Sequence, residues 1–319
     1  MAINLTSDCM AHYKLDDCAL TATIIDSRGF SHGTSVRNTN FMAVAGKVGG
    51  ALAFNGTSDY IVADVYSANL FAPTYRNSFS ISFWCKPDDG QAVTYQGLFG
   101  DNGSECKFHV RIDDAGKITV YYQIDSDEGG VACTSDNENF TDGLQDWGHI
   151  VVVITKTGAS SVKIDIYFNN VLTGTTTSDH ITMSSFTHIT TFIGLIGNDE
   201  DPDFTIPFVG SLDNVTIFNK ALSTDEIAFL YNGGAGTEEL SQCTADSIDE
   251  AIHTALCHAE DSPVMIALGY VEDKIYLHNV PQSVSLPAIT YQRIATEFNH
   301  TSDDTIELRR ATYQFTCWS

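Results

Sequence analysis

Basic residues are scarce in this chain. Its 319 residues include 16 Lys and Arg against 41 Asp and Glu, a formal net charge of −25 at pH 7. A surface of this sign repels phosphate backbones and anionic membranes, so neither nucleic acid nor a membrane is an expected partner. Charged residues are only 18% of the chain. The negative net charge therefore comes mainly from the scarcity of Lys and Arg. It is consistent with a solubilising acidic surface or with cation binding.

Long hydrophobic runs and zinc motifs are also missing. The longest apolar stretches, such as residues 150–155 and 264–270, are too short to span a bilayer. The N-terminus has neither a basic start nor an apolar segment, so no secretory signal is expected. The eight cysteines include no Cys-x-x-Cys pair, which argues against zinc. Without a signal, the thiols are predicted to be reduced.

Apolar residues alternate with polar ones over most of the first 230 residues. Residues 79–85, 108–112, 118–124 and 162–168 show this period of two, and residues 114–116 form a hairpin-type turn. Many short strands separated by Gly, Asn, Asp and Ser predict an antiparallel β-sandwich or jelly roll. The predicted fold class is therefore mainly β, with the sandwich spanning residues 1–236.

A helix and a linker close this region. Ser223 and Glu226 form a capping box, and two glycines at 233–234 are expected to end the helix. Residues 237–245 are predicted to be a linker. A second capping box at 247–250, a helix over 246–258 and strands at 274–278, 288–296 and 310–318 predict a small α+β domain over 246–319.

Several segments of the first domain occur in the order found in one family. They are residues 11–16 (AHYKLD), 26–29 (DSRG), 46–61 (GKVGGALAFNGTSDYI), 79–84 (FSISFW), 147–149 (WGH), 208–215 (FVGSLDNV) and 221–227 (ALSTDEI). Over residues 8–234 the chain resembles the laminin-G-like, concanavalin-A-like lectin jelly rolls. The resemblance implies a two-sheet sandwich, but this fold hosts lectins, adhesins, glucanases and structural modules alike.

The resemblance implies one candidate metal site. In this family an early-turn Asp and a closing-strand Asp can share a calcium ion, and Asp26 and Asp213 match those positions. The alternative is that Asp26 caps a turn and Asp213 pairs within the sheet. Residues 198–203 (NDEDPD) form a second acidic candidate, for which a solvated loop is the favoured interpretation.

The residue types offer candidates for glycan binding but not for glycan hydrolysis. Sugars are held by aromatic faces beside planar polar groups, and the candidates are Trp84, Tyr95, Tyr121, Tyr122 and Trp147. Trp84 and Trp147 are expected in the core. Glucanases of this fold carry Glu-x-Asp-x-Glu, which is missing, as are Gly-x-Ser-x-Gly and a phosphate loop. The chain is therefore predicted not to be an enzyme.

The C-terminal region resembles a different family. Residues 274–276 (KIY), 280–282 (VPQ), 286–294 (LPAITYQRI) and 309–318 (RRATYQFTCW) are similar to the tail-completion, or tail-terminator, proteins of long-tailed bacteriophages. That family continues past the last strand with a helix and another strand, whereas this chain ends at Ser319. The resemblance implies a hexameric ring that caps a tail tube.

Together these patterns predict a virion structural protein of a tailed virus, assembled in the host cytoplasm. The C-terminal domain would bind tail tube, neck or connector proteins, and the jelly roll would contact host-surface glycans. Arg293, Arg309 and Arg310, three of seven arginines, are the candidate partner interface, and the strand at 310–318 is a candidate sheet edge. The alternatives are a receptor-binding adhesin, fibre or head-decoration lectin, and a glycan-active enzyme.

Overall fold

The chain divides into two compact units. A computed structural model describes residues 3–63, 78–101, 108–122, 130–158, 161–179, 191–197, 205–241, 275–277, 288–300 and 306–318, the last three as backbone. One unit spans Ile3–Leu240 and the other is formed by Ser241–Ser319. No helix in these segments is long and apolar enough to cross a membrane.

The first unit contains two antiparallel sheets, here named sheet A and sheet B. The strands of the unit are β1 (Cys9–Tyr13), β2 (Thr23–Ile24), β3 (Gly33–Ser35), β4 (Ala43–Ala45), β5 (Gly50–Asn55), β6 (Ile61–Ala63), β7 (Phe79–Pro87), β8 (Gln96–Asp101), β9 (Phe108–Ile112), β10 (Ile118–Tyr122), β11 (Val131–Thr134), β12 (Gly148–Lys156), β13 (Val162–Phe168), β14 (Val171–Ser178), β15 (Thr191–Ile193), β16 (Leu195–Gly197), β17 (Thr205–Pro207) and β18 (Val209–Phe218). Sheet A has the order β14-β13-β12-β7-β18-β5-β4, with β1 also paired to β18. Sheet B has the order β11-β10-β9-β8-β15-β6-β3-β2, and β16 and β17 form a separate hairpin. The predicted mainly-β sandwich is confirmed.

The alternating side chains pack between the two sheets. Phe79 of β7 contacts Phe108 of β9 edge-to-face at 5.4 Å, and Phe108 contacts Phe99 and Tyr122 at 6.1 and 6.2 Å. Every second residue of β7, β9, β10 and β12 belongs to this buried cluster. The period of two in the sequence therefore comes from strands that present one face to a shared core.

A short helix covers part of the outer face of sheet A. The helix α1 (Thr224–Tyr231) begins at the predicted capping box, in which Ser223 and Glu226 each bond the other's backbone N–H. Asn232, in the left-handed conformation, ends the helix one residue before the predicted glycines. The apolar residues of α1 pack on Val151 and Val153 of β12. This contact explains why β12 is apolar on both faces.

Part of the predicted linker belongs to the first unit. The carbonyl of Thr237 accepts a hydrogen bond from Asn214, Glu238 pairs with Lys14, and the carbonyl of Leu240 accepts one from Leu5. Residues 237–240 are therefore fixed on the jelly roll by specific contacts.

The second unit contains a three-stranded sheet in its described residues. It consists of β19 (Ile275–Leu277), β20 (Ala288–His300) and β21 (Ile306–Trp318), with β19 parallel and β21 antiparallel to β20. These strands overlap the three predicted ones, although β20 and β21 are each four residues longer than predicted, and β21 lies at an edge of this sheet. The predicted helix at 246–258 lies outside the described residues.

Candidate functional site

The outer faces of the two sheets differ in what covers them. On sheet A, α1 and the N-terminal segment bury an apolar cluster that includes Leu5, Val151 and Phe218. On sheet B, the strands β9 to β11 carry polar and aromatic side chains outward. His109 and Thr119 are buried there, whereas Arg111 and Tyr121 are half-buried and Thr134 is exposed. Because a ligand needs accessible polar groups, this accessible part of sheet B is the better candidate.

Asp213 lies fully buried on β18, on the outer side of sheet A. Its Oδ2 accepts hydrogen bonds from the backbone N–H groups of Lys47 (2.6 Å) and Val48 (2.9 Å), which tie the turn between β4 and β5 to the sheet. Its Oδ1 has no hydrogen-bond partner among the described residues. Burial, reinforced by the carboxylates of Glu238 and Asp16, raises the pKa of Asp213 to about 7 despite the two amides.

A stack of rings lies beside Asp213. Trp84, its cross-strand neighbour, is 4.8 Å from His149 and 5.8 Å from Tyr231 between ring centroids, and the ammonium of Lys47 lies 4.9 Å from the Trp84 ring. Complete burial lowers the pKa of His149 to about 3, so the ring is neutral and bonds the hydroxyl of Ser82 at 2.9 Å. This cluster is structural, and Trp84 is buried as expected.

Asp26 organises a turn. Its two carboxylate oxygens accept hydrogen bonds from four backbone N–H groups, those of His12, Arg28, Phe30 and Ser31, at 2.9 to 3.0 Å. The side chain is 1% exposed. Its lone pairs are therefore used to hold the turn against β1, as in the alternative that Asp26 caps a turn.

As arranged here, Asp26 and Asp213 do not fit a shared calcium ion. Calcium needs several oxygens converging on one point. The oxygens of Asp26 already receive four amides, and one oxygen of Asp213 receives two. No group of three or more His, Cys, Asp or Glu side chains in the described segments is placed to hold a metal. The acidic candidate at 198–203 lies outside those segments.

The sheet B outer face is an ordered array of polar and aromatic side chains. Arg111, Thr119 and Thr134 are cross-strand neighbours on β9, β10 and β11, and His109 and Tyr121 form the next row. The hydroxyls of Thr119 and Thr134 lie 3.2 Å apart, and the rings of His109 and Tyr121 stack at 5.2 Å. Strand alternation creates this array, because the residues between these positions face the core.

Tyr95 borders the array immediately before β8. Tyr95 is 44% exposed, and the guanidinium carbon of Arg111 lies 4.0 Å from its ring centroid. Such stacking fixes a guanidinium in one plane and leaves its edge free to donate hydrogen bonds. The β16–β17 hairpin packs closely over β8. The carbonyl oxygen of Ile206 in this hairpin lies so near Gly97 of β8 that it would overlap a Cβ at that position.

The other sequence candidates have different surroundings. Trp84 and Tyr122 are 1% and 5% exposed, so neither can offer a face to a ligand. Trp147 was expected in the core but is only half-buried, because it precedes β12 in a loop. Arg293 lies on β20 opposite Tyr313, and Arg309 and Arg310 lie on the edge strand β21. The sequence analysis named Tyr95 and Tyr121 as glycan-binding candidates but did not name Arg111. The signal for Arg111 was its position in the alternating segment 108–112, where it is expected to point away from the core.

The family assignment follows from this architecture and from the sequence. The family model Laminin_G_3, of the concanavalin A-like lectin/glucanases superfamily, matches residues 55–228, more than half of the chain. The chain belongs to the concanavalin A-like lectin/glucanase superfamily. Its lectin-like jelly roll is thereby confirmed. No curated protein matches this superfamily member in sequence.

Solved structures with this lectin-like fold include botulinum neurotoxin binding domains. The serotype C1 binding domain has a TM-score of 0.54 at 15% identity, covering 73% of this chain and 53% of that chain. A structure of botulinum neurotoxin type C, whose cell entry depends on interaction with two ganglioside molecules, has a TM-score of 0.51 at 12% identity, covering 73% and 52%. The binding domain of botulinum neurotoxin DC in complex with rat synaptotagmin II has a TM-score of 0.52 at 14% identity, covering 72% and 52%. These identities show the fold alone, and the chain spans about half the length of those structures.

Proposed function

We propose that the jelly roll binds glycans through the sheet B outer face together with Tyr95, and that it does not cleave them. The observation that carries this proposal is the array itself. Tyr95 supplies an exposed aromatic residue, Arg111 supplies a planar donor group, and Thr134 supplies an exposed hydroxyl, with Tyr121 beside them in the next row. Ganglioside binding by botulinum neurotoxin type C supports the use of this fold for glycans.

We further propose that the chain is a virion structural protein of a tailed virus, assembled in the host cytoplasm. The C-terminal unit would attach the jelly roll to tail tube, neck or connector proteins. Support comes from the tail-completion resemblance and from the edge position of β21, which can pair with a partner strand. Arg309 and Arg310 on that strand would meet an acidic partner surface.

Glycan binding is tested on an immobilised panel of neutral and acidic oligosaccharides. The full chain should bind a subset of them, and Tyr95→Ala should lose that binding because a sugar-stacking ring is removed. Phe41→Ala is the matched control, since Phe41 is a 65% exposed aromatic outside the array. The binding proposal fails if no oligosaccharide is retained, or if the control loses binding equally. Release of reducing sugar from a bound oligosaccharide would contradict the non-enzymatic part.

The virion proposal is tested by negative-stain microscopy with mass measurement of the purified chain. A ring of about six copies carrying peripheral knobs is expected from the tail-completion resemblance. A chain that stays monomeric with tail-tube protein present would contradict the neck role. It would favour the adhesin or fibre alternative, while leaving glycan binding intact.

A further inference from the structure

Arg111 is held by an aromatic ring, whereas four other cations of the described chain are held by carboxylates. Lys14, Arg37, Lys163 and Lys220 each lie within 2.8 Å of a carboxylate oxygen. No carboxylate of the described residues lies within ion-pair distance of Arg111, although acids outnumber bases 41 to 16. The guanidinium of Arg111 is therefore not neutralised by a carboxylate of the described residues.

The guanidinium of Arg111 is also held in a fixed orientation. Its carbon lies 4.0 Å from the centroid of Tyr95, and its Nε is buried without a hydrogen-bond partner among the described residues. The buried Nε is unsolvated, so the group is positioned by stacking on the ring. A guanidinium held in this way presents a planar donor edge that matches a carboxylate in a two-bond geometry.

The neighbouring positions can complete the recognition of a sugar acid. Thr134, in the same cross-strand row as Arg111, is exposed, and its hydroxyl lies 3.2 Å from that of the buried Thr119 between them. Tyr95 offers the remaining ring surface to the apolar face of a sugar. Asp113 lies two residues after Arg111. Its Oδ1 is not available to the guanidinium of Arg111, because this oxygen accepts hydrogen bonds from the N–H groups of Ala115 and Lys117.

We propose that Arg111 makes this site selective for carboxylate-bearing sugars. The inference rests on the proposed glycan-binding function and adds the ligand class to it. The carboxylate would accept two hydrogen bonds from the guanidinium edge while the sugar ring lies against Tyr95. Charge-assisted bonds of this kind change affinity by about tenfold or more.

The test compares an acid with its neutral isostere on the unmodified full chain. The probes are 3′-sialyllactose, its methyl ester, a glucuronate-ended disaccharide and lactose, measured by calorimetry. At least one free acid should bind roughly tenfold more tightly than its neutral counterpart. Because no residue is changed, the result does not depend on whether a variant folds.

Substitution then assigns the preference to the residue. Arg111→Gln should abolish the preference for the acid over its ester, and Arg111→Lys should retain only part of that preference. Equal binding of acid and ester, or an unchanged preference in Arg111→Gln, overturns the inference while glycan binding stands. Binding of no probe, together with no binding on the oligosaccharide panel, overturns both.

Discussion

The substitution Asp213→Asn should remove a pH-dependent weakness from the fold. Asp213 is buried, its Oδ1 has no partner among the described residues, and its pKa is raised from 3.8 to about 7. An asparagine in the same position can still accept the N–H groups of Lys47 and Val48 through its amide oxygen, but it carries no charge to desolvate.

The sign of the effect follows from proton binding. A folded-state pKa above the unfolded value means that the folded chain holds the proton more tightly between the two values. The associated stability is complete below about pH 4 and is lost as the pH rises through about 7. Each pKa unit corresponds to about 1.4 kcal/mol, so the loss amounts to about 2 to 4 kcal/mol once structural relaxation is allowed for.

Urea unfolding of the wild type and the variant from pH 4 to 8.5 measures this difference. The free energy of unfolding of Asp213→Asn, relative to wild type, should increase by that amount between pH 4 and 8. Asp114→Asn removes one exposed carboxylate and controls for the general effect of reducing the negative charge. A wild-type-to-variant difference that is constant with pH would refute the argument that Asp213 titrates in this range.

Other predictions concern the core, the turns, the helix and the metal. Phe108→Ala should lower the free energy of unfolding by about 3–5 kcal/mol in urea titrations, because its ring contacts three aromatic neighbours. Gly116→Ala should lower the free energy of unfolding more than Gly143→Ala does. Both glycines have positive φ, but only a Cβ at Gly116 would overlap the carbonyl oxygen of Phe140. Equal losses of stability in the two variants would contradict this steric argument. Ser223→Ala should lower stability by about 1 kcal/mol through loss of the helix cap, as measured in the same assay. The melting temperature should be the same with EDTA and with excess calcium, and a rise with calcium would restore the metal hypothesis.

The predictions of the sequence analysis held best where local pattern and structure share one cause. Alternating residues at 79–85 and 108–112 became β7 and β9, because a strand must present every second side chain to the core. The capping box at Ser223 began α1 where expected, since its hydrogen bonds connect residues three apart. The metal candidates depended on long-range geometry that spacing does not encode.

The sequence alone determined that residues before 231 form a two-sheet jelly roll, because strand period, turn residues and caps are local properties. Only the tertiary structure decided what Asp213, Asp26 and Arg111 do. Asp213 receives the amides of Lys47 and Val48, which are more than 160 residues away along the chain. Arg111 is stacked on Tyr95 because β8 and β9 pair with Gly97 opposite Arg111, next to a register shift between Gly97 and Phe99. Contacts of this kind depend on which strands pair and in which register. Pairing and register are set by packing throughout the core and not by any local sequence pattern.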